Sequence, residues 1–294
     1  MKKVLIGIAA GAALTLSANA ALADGYGYGS VKDGPVVAPQ VNWNGLYIGA
    51  AVGYGIATTD LSGYSDTYEV KEWGLYGSEK HWHGNFAGTA AKGLSGDGAQ
   101  GTLTLGYDRQ IHPGLLVGIF GDYTFGDLDN DHWLGGYSEH GKQYIFDDSW
   151  FEPAHLSTKI GNNWSIGGRI GLVRENTLWY AFAGYSQADF DWKLVSYFDG
   201  ESFGGGSGSK TLKGYFLGLG VEHQLFQNVS LKLEYRYTNY DKVTFGSYYE
   251  EGKNYYHESE FRADPDVHSI RLGVNWKVDL FGGHHVTPAY DSLK

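Results

Sequence analysis

The 294-residue chain carries a formal charge of −11, no cysteine, 45 glycines and 16% aromatic residues. That acidic excess opposes nucleic acid or an anionic surface as a partner, and without cysteine there is neither disulfide nor thiol chemistry. So much glycine would suit a disordered chain, but this aromatic content argues against disorder. After residue 23 no apolar stretch is long enough for a membrane-spanning helix.

Residues 1–23 read as a secretory leader. Lys2 and Lys3 give the positive start, residues 4–16 are an uncharged apolar run, and two small-x-small sites follow, Ala18-Asn19-Ala20 and Ala21-Leu22-Ala23. The run is too short to span a bilayer. Cleavage after Ala23 leaves Asp24 at the N-terminus and a charge of −13, because residues 1–23 hold no acid. The remainder suits a single all-β domain. It divides into an N-terminal linker over 24–42, a barrel over 43–281 and a short tail over 282–294.

Eight segments alternate apolar with small or polar residues. In the first, Leu46, Ile48, Ala50, Val52 and Tyr54 oppose Tyr47, Gly49, Ala51 and Gly53. Strands near 99–110, 115–126, 164–173, 178–190 and 213–225 follow. In the fourth, Trp164, Ile166, Ile170 and Leu172 face away from Ser165, Gly167, Arg169 and Gly171. In the sixth, Leu217, Leu219 and Val221 oppose Phe216, Gly218, Gly220 and Glu222. The clearest is 229–240, where Val229, Leu231, Leu233, Tyr235 and Tyr237 oppose Ser230, Lys232, Glu234, Arg236 and Thr238. In the last, Ile270, Leu272, Val274, Trp276 and Val278 oppose Ser269, Arg271, Gly273, Asn275 and Lys277. Successive side chains of a strand point to opposite faces, so period two means strand; as helices these segments would scatter their charges.

The links between segments alternate in length. Those at 111–114, 174–177 and 226–228 are short; those at 57–97, 127–162, 191–212 and 241–266 are long. Short turns at one end and long loops at the other predict an eight-stranded antiparallel transmembrane β-barrel with short periplasmic turns and four long extracellular loops. An even strand number puts both termini at the short-turn end. Alternation alone does not say which face is inside, and a soluble lipocalin-like barrel is the alternative. Export, loop asymmetry and a glycine-rich polar face favour the membrane barrel. So do the aromatics that finish the apolar faces, namely Tyr54, Tyr107, Tyr123, Phe125, Tyr235, Tyr237 and Trp276.

The opening Trp43-Asn44-Gly45-Leu46-Tyr47-Ile48-Gly49, the LEYRYTNY of 233–240 and the closing HSIRLGVNWK of 268–277 resemble the small α-proteobacterial outer-membrane proteins. These are the 25-kDa outer-membrane antigens, also called outer membrane immunogenic proteins, and the resemblance covers about residues 43–278. It implies an eight-stranded barrel related to the membrane domain of outer membrane protein A, located in the Gram-negative outer membrane. Partners expected there are membrane lipid and lipopolysaccharide, the barrel-insertion machinery, and a host or surface ligand at the loops. One departure stands out: such barrels end on an aromatic residue, whereas this chain continues with DLFGGHHVTPAYDSLK after Val278. The insertion signal is then internal, around 276–281.

The candidate chemistry lies on the polar faces. By strand parity Asp122, Arg169, Glu222, Lys232, Glu234, Arg236, Arg271 and Lys277 point into the lumen. Charges facing lipid are expensive, while opposite signs inside a narrow barrel pair. Such a network either plugs the lumen and fixes strand register, or forms a gate that passes small ions when it rearranges. His81-Trp82-His83 and His284-His285 invite a haem or metal reading, but no carboxylate stands at ligand spacing beside either pair. Asp127-Leu128-Asp129-Asn130-Asp131 resembles a calcium loop, yet His132 replaces the required glycine and Ser138 the closing Glu. GGGSGSKT at 204–211 nearly copies a phosphate-binding loop, but Ser209 precedes Lys210 and the run reads as a linker between strands. No hydrolase elbow or zinc-protease pair is present. The expectation is a non-enzymatic, cofactor-free, structural and surface-antigenic barrel contributing to envelope integrity. The alternative is a narrow ion-conducting pore, with haem or host-surface binding behind it.

Overall fold

The computed structural model describes the backbone of residues 43–72, 78–142, 145–198, 201–251 and 255–278. The leader, the 24–42 linker and the tail beyond Phe281 lie outside these residues. The described strands are β1 (Gly45–Glu72), β2 (Ser78–His112), β3 (Leu115–Phe125), β4 (Leu128–Lys142) and β5 (Ile145–Arg174), then β6 (Thr177–Phe198), β7 (Glu201–Phe226), β8 (Val229–Tyr240), β9 (Val243–Glu251) and β10 (Tyr255–Val278). All pairings are antiparallel. β1 bonds both β2 and β10, and the neighbour order β1-β10-β8-β7-β6-β5-β3-β2 returns to β1, closing a ring of eight.

The other two strands prolong staves of that ring. β4 pairs with β2 and β5, the neighbours of β3, so it continues β3. β9 pairs with β10, a neighbour of β8, and continues β8. The break between β3 and β4 falls at Gly126, whose φ is +118 and whose added Cβ would lie 2.4 Å from the Ala99 carbonyl oxygen. Only glycine suits both constraints.

Turns at 113–114, 175–176 and 227–228 join β2 to β3, β5 to β6 and β7 to β8. At the opposite end the four long connections leave the ring, and most of their length is itself paired strand. β1 and β2, for example, remain paired out to Glu72 and Ser78, across three register shifts. The physical reason is visible in β6. Near the turns its outward residues are Trp179, Ala181, Ala183 and Tyr185; farther out they are Gln187, Asp189, Asp191 and Lys193. The buried inward residues change the other way, from Tyr180, Phe182 and Ser186 to Ala188, Phe190, Trp192 and Leu194. The phase of the strand is kept while its polarity inverts. Below the inversion the outside is apolar; above it the outside is wet.

The apolar outer face forms a continuous band that includes Ile48, Val52, Leu103, Ile119, Ile170, Leu217, Leu219 and Leu272. Val52 and Ile119 are each 69% exposed. Keeping such a side chain in water forfeits about 1.5–3 kcal/mol relative to burying it, a cost that lipid removes. Tyr107, Trp179 and Trp276 edge the band near the short turns, and Tyr54, Tyr123, Phe125, Trp164 and Tyr215 edge it on the other side. Along that far edge Trp164 packs on Tyr185 at 5.8 Å, and Tyr185 on Tyr215 at 6.0 Å. An apolar band between aromatic girdles is the layout of a transmembrane barrel.

Candidate functional site

The lumen is filled in layers. At the short-turn end Arg169 is the centre. Its Nε donates to Asp108 Oδ1 at 2.9 Å, its Nη2 to Asp108 Oδ2 at 2.5 Å, and its Nη1 to Glu222 Oε2 at 2.9 Å. The two-point fork on Asp108 is the strongest geometry available to an arginine. Tyr47 and Tyr180 hold the guanidinium between their rings, with centroids 4.6 and 5.0 Å from its carbon. Ser230 donates to the remaining oxygen of Glu222. Lys277 lies at the mouth, where it donates to the Trp43 carbonyl, lies 5.4 Å from the Trp43 ring centroid and stands 4.0 Å from Asp108.

A second ionic layer lies deeper. The Tyr180 hydroxyl donates to Glu234 Oε1 at 2.7 Å, and Lys232 stands 3.6 Å from Glu234 Oε2. Arg236 donates through both Nη atoms to Asp122 and through Nη1 to Ser165 Oγ at 3.3 Å. Arg271 approaches the same Asp122 oxygen that Arg236 Nη2 takes, at 3.7 Å. Arg236 lies over Phe216, 4.2 Å from its centroid, and Phe216 packs against Phe120 and Phe182. Next come hydroxyl pairs, Thr102 with Thr124 at 3.0 Å and Ser165 with Ser186 at 3.1 Å. Above these is an apolar core that includes Leu128, Ile160, Phe190, Trp192, Phe245 and Phe261.

The glycine-rich polar face explains how rings fit inside so narrow a barrel. A Cβ on Gly106 would come 2.4 Å from the Tyr47 ring, and one on Gly218 would come 2.2 Å from the Phe182 ring. Tyr180 lies across Gly220 in the same way, with a Cβ there 2.4 Å from its ring. Between the ionic layers is a void of about 10 Å³ bordered by Tyr47, Asp122, Arg169, Tyr180 and Glu234, which is about the room for a single water.

Seven of the eight lumen candidates (Asp122, Arg169, Glu222, Lys232, Glu234, Arg236 and Arg271) are buried inside, and Lys277 is half-buried at the mouth. Asp108, fully buried and bonded twice to Arg169, escaped the sequence reading although it shares the face of Thr102, Thr104 and Gly106. Extending the alternation of that strand by one step finds it. Tyr47 and Tyr180 carry no such signal, because an aromatic on a polar face looks like an exception to the pattern.

The other motifs take their places in strands. Asp129 and Asp131 of β4 point outward while Asn130 between them is buried, so period two separates the would-be ligands; Asp127 pairs with Lys159 at 2.6 Å. The 204–211 run is not a linker but part of β7, in register with β6 through pairs such as Trp192 with Gly208. Extended backbone does not form the nest that cradles phosphate. The side chains of His81 and His83, and the whole of His284-His285, lie outside the described residues. Among the described residues no three His, Asp or Glu side chains gather to hold a metal ion.

The family model described as outer membrane protein beta-barrel domain matches residues 6–277. A 22 kDa outer membrane protein of Rhizobium leguminosarum bv. viciae is 30% identical over 183 residues, covering 56% of this chain and 77% of that protein. Among solved structures, the outer membrane protease OmpT of Escherichia coli is similar with a TM-score of 0.46 at 10% identity, covering 79% of this chain and 97% of OmpT. OprG of Pseudomonas aeruginosa is similar with a TM-score of 0.35 at 12% identity, covering 77% of this chain and 97% of OprG. The attachment invasion locus protein Ail of Yersinia pestis is similar with a TM-score of 0.30 at 14% identity, covering 78% of this chain and 98% of Ail.

Proposed function

Because the chain belongs to the outer membrane β-barrel protein family, we propose that it is a non-enzymatic, non-conducting barrel that strengthens the outer membrane and carries a rigid β-structure above it. The leader is removed after Ala23, and the outward faces above the upper girdle meet lipopolysaccharide and surface ligands. The observation that carries this reading is the filled lumen: two ionic layers, a ring of phenylalanines and an apolar core lie one above another. To pass an ion, Arg169 would have to leave two carboxylates at once inside a buried site.

One observation favours the second reading, a narrow gated pore. Arg271 reaches Asp122 only at 3.7 Å, the loosest contact of the second layer. Recording from the refolded protein in a planar bilayer separates the two. The wild type, Glu222→Ala and Arg271→Ala should all give a flat baseline. Stable conductance steps in the wild type that change in either variant would replace the sealed barrel with the gate.

A further inference from the structure

The described lumen charges do not balance, and the imbalance has an address. At the mouth Arg169 and Lys277 face Asp108 and Glu222, one cation for each carboxylate. Lys232 is matched by Glu234. Arg236 and Arg271 converge on Asp122, both reaching its Oδ2, and Glu234, opposite Arg271 in the register, attracts both arginines as well as Lys232. Arginine does not give up its proton inside a protein, so this layer, with Lys232, Arg236 and Arg271 against Asp122 and Glu234, holds one positive charge more than its carboxylates match. Its five charged residues are 3–9% exposed.

The same place is short of hydrogen-bond acceptors. Among the described residues, Nε and Nη1 of Arg271 and Nε of Arg236 have none, although all three atoms are buried. A buried donor without an acceptor is costly, and a charged one more so. The stem of Arg271 runs over Gly53, where a Cβ would come 3.0 Å from its Cγ. That packing holds the head group inside the barrel. Water would satisfy these donors but would leave the charge unmatched. A small anion answers both deficits.

We infer that the barrel interior binds one small monovalent anion, of the halide class, at the paired guanidiniums of Arg236 and Arg271. Size follows from the surroundings: Phe216 and Phe182 pack on one side of Arg236, and the apolar core closes the lumen above. Side chains packed this closely leave no room for a phosphate or an organic acid, so the ligand class is a single-atom anion. The inference stands apart from whether the barrel conducts, because a bound anion is required by the local charge in either case.

The test uses the full mature chain refolded in vesicles, with urea unfolding followed by the heat-shifted gel band. Sodium chloride is compared with sodium gluconate at equal ionic strength. The wild-type midpoint should rise saturably with chloride, since a ligand of the folded state stabilises it by mass action. In Arg271→Met the apparent chloride affinity should fall at least about tenfold, as expected when a charge-assisted contact is lost. Asp122→Asn, which leaves two unmatched cations, should bind chloride more tightly. A wild-type midpoint that is the same in both salts, or an Arg271→Met response equal to the wild type, overturns the site. Should Arg271→Met fail to fold, anomalous diffraction from wild-type crystals soaked in bromide decides. A peak at Arg271 supports the site, and its absence overturns it.

Discussion

Arg169→Met should cost the barrel about 3–5 kcal/mol, the usual penalty for removing one partner of a buried ion pair. It should be read as a fall in the urea concentration at which the folded, heat-shifted band disappears. The size follows from what is left behind. Asp108 and Glu222 are 0% and 1% exposed, and both lose their arginine at once. Tyr47 and Tyr180 lose the cation between their rings as well. Methionine keeps much of the volume, so the loss reports charge rather than a cavity. A compensating variant sharpens the point. Arg169→Met combined with Asp108→Asn and Glu222→Gln removes all three charges and should recover most of the loss. An Arg169→Met protein that unfolds at the wild-type midpoint would show that this layer does not hold the barrel together.

Leu219→Arg should destabilise by about 2–4 kcal/mol, the cost of an arginine on the lipid face near the bilayer midplane. Ser209→Arg on the same outward face of β7 should change stability by less than about 0.5 kcal/mol, as surface substitutions do. Both positions are exposed, Leu219 at 64%, and they differ only in height along one strand. Tyr215 stands between them at the upper girdle. Exposure therefore does not tell the two sites apart, but the solvent does: hydrocarbon at Leu219, water and sugar head groups at Ser209. Equal effects of the two arginines would contradict the placement of the membrane edge.

How much of this was legible beforehand depends on where alternation is simple. The segments at 46–54, 229–240 and 270–278 carry uninterrupted period-two patterns, and each folds as a lipid-facing stave with the expected face outward. The extracellular continuations read as loops in the sequence for a definite reason. A pattern reader takes apolar as out, and above the girdle the rule reverses: Phe190 and Trp192 are inside while Asp189 and Asp191 are outside. Nothing in the residues themselves marks that reversal except the aromatic at Tyr185. The bulge between Ile160 and Asn163 hides the pattern further, because it moves the inward set from even positions before it to odd positions after it within β5. The lumen was more readable than its bonding. Parity puts eight charges on the lumen face, but which acid Arg169 takes depends on strands far apart in the chain, Asp108 on β2 and Glu222 on β7.

Three environments meet on one strand: lipid outside β6 below Tyr185, water outside it above, and a filled interior behind it. The chain has no cysteine, so single introduced cysteines report alone. A membrane-impermeant maleimide applied to intact cells should label Asp189→Cys and Lys193→Cys and leave Ala183→Cys and Ser186→Cys unmodified. Labelling of Ser186→Cys as fast as Asp189→Cys would mean an open lumen. Labelling of Ala183→Cys would mean that the apolar band faces water, and either result would contradict a sealed barrel in the outer membrane.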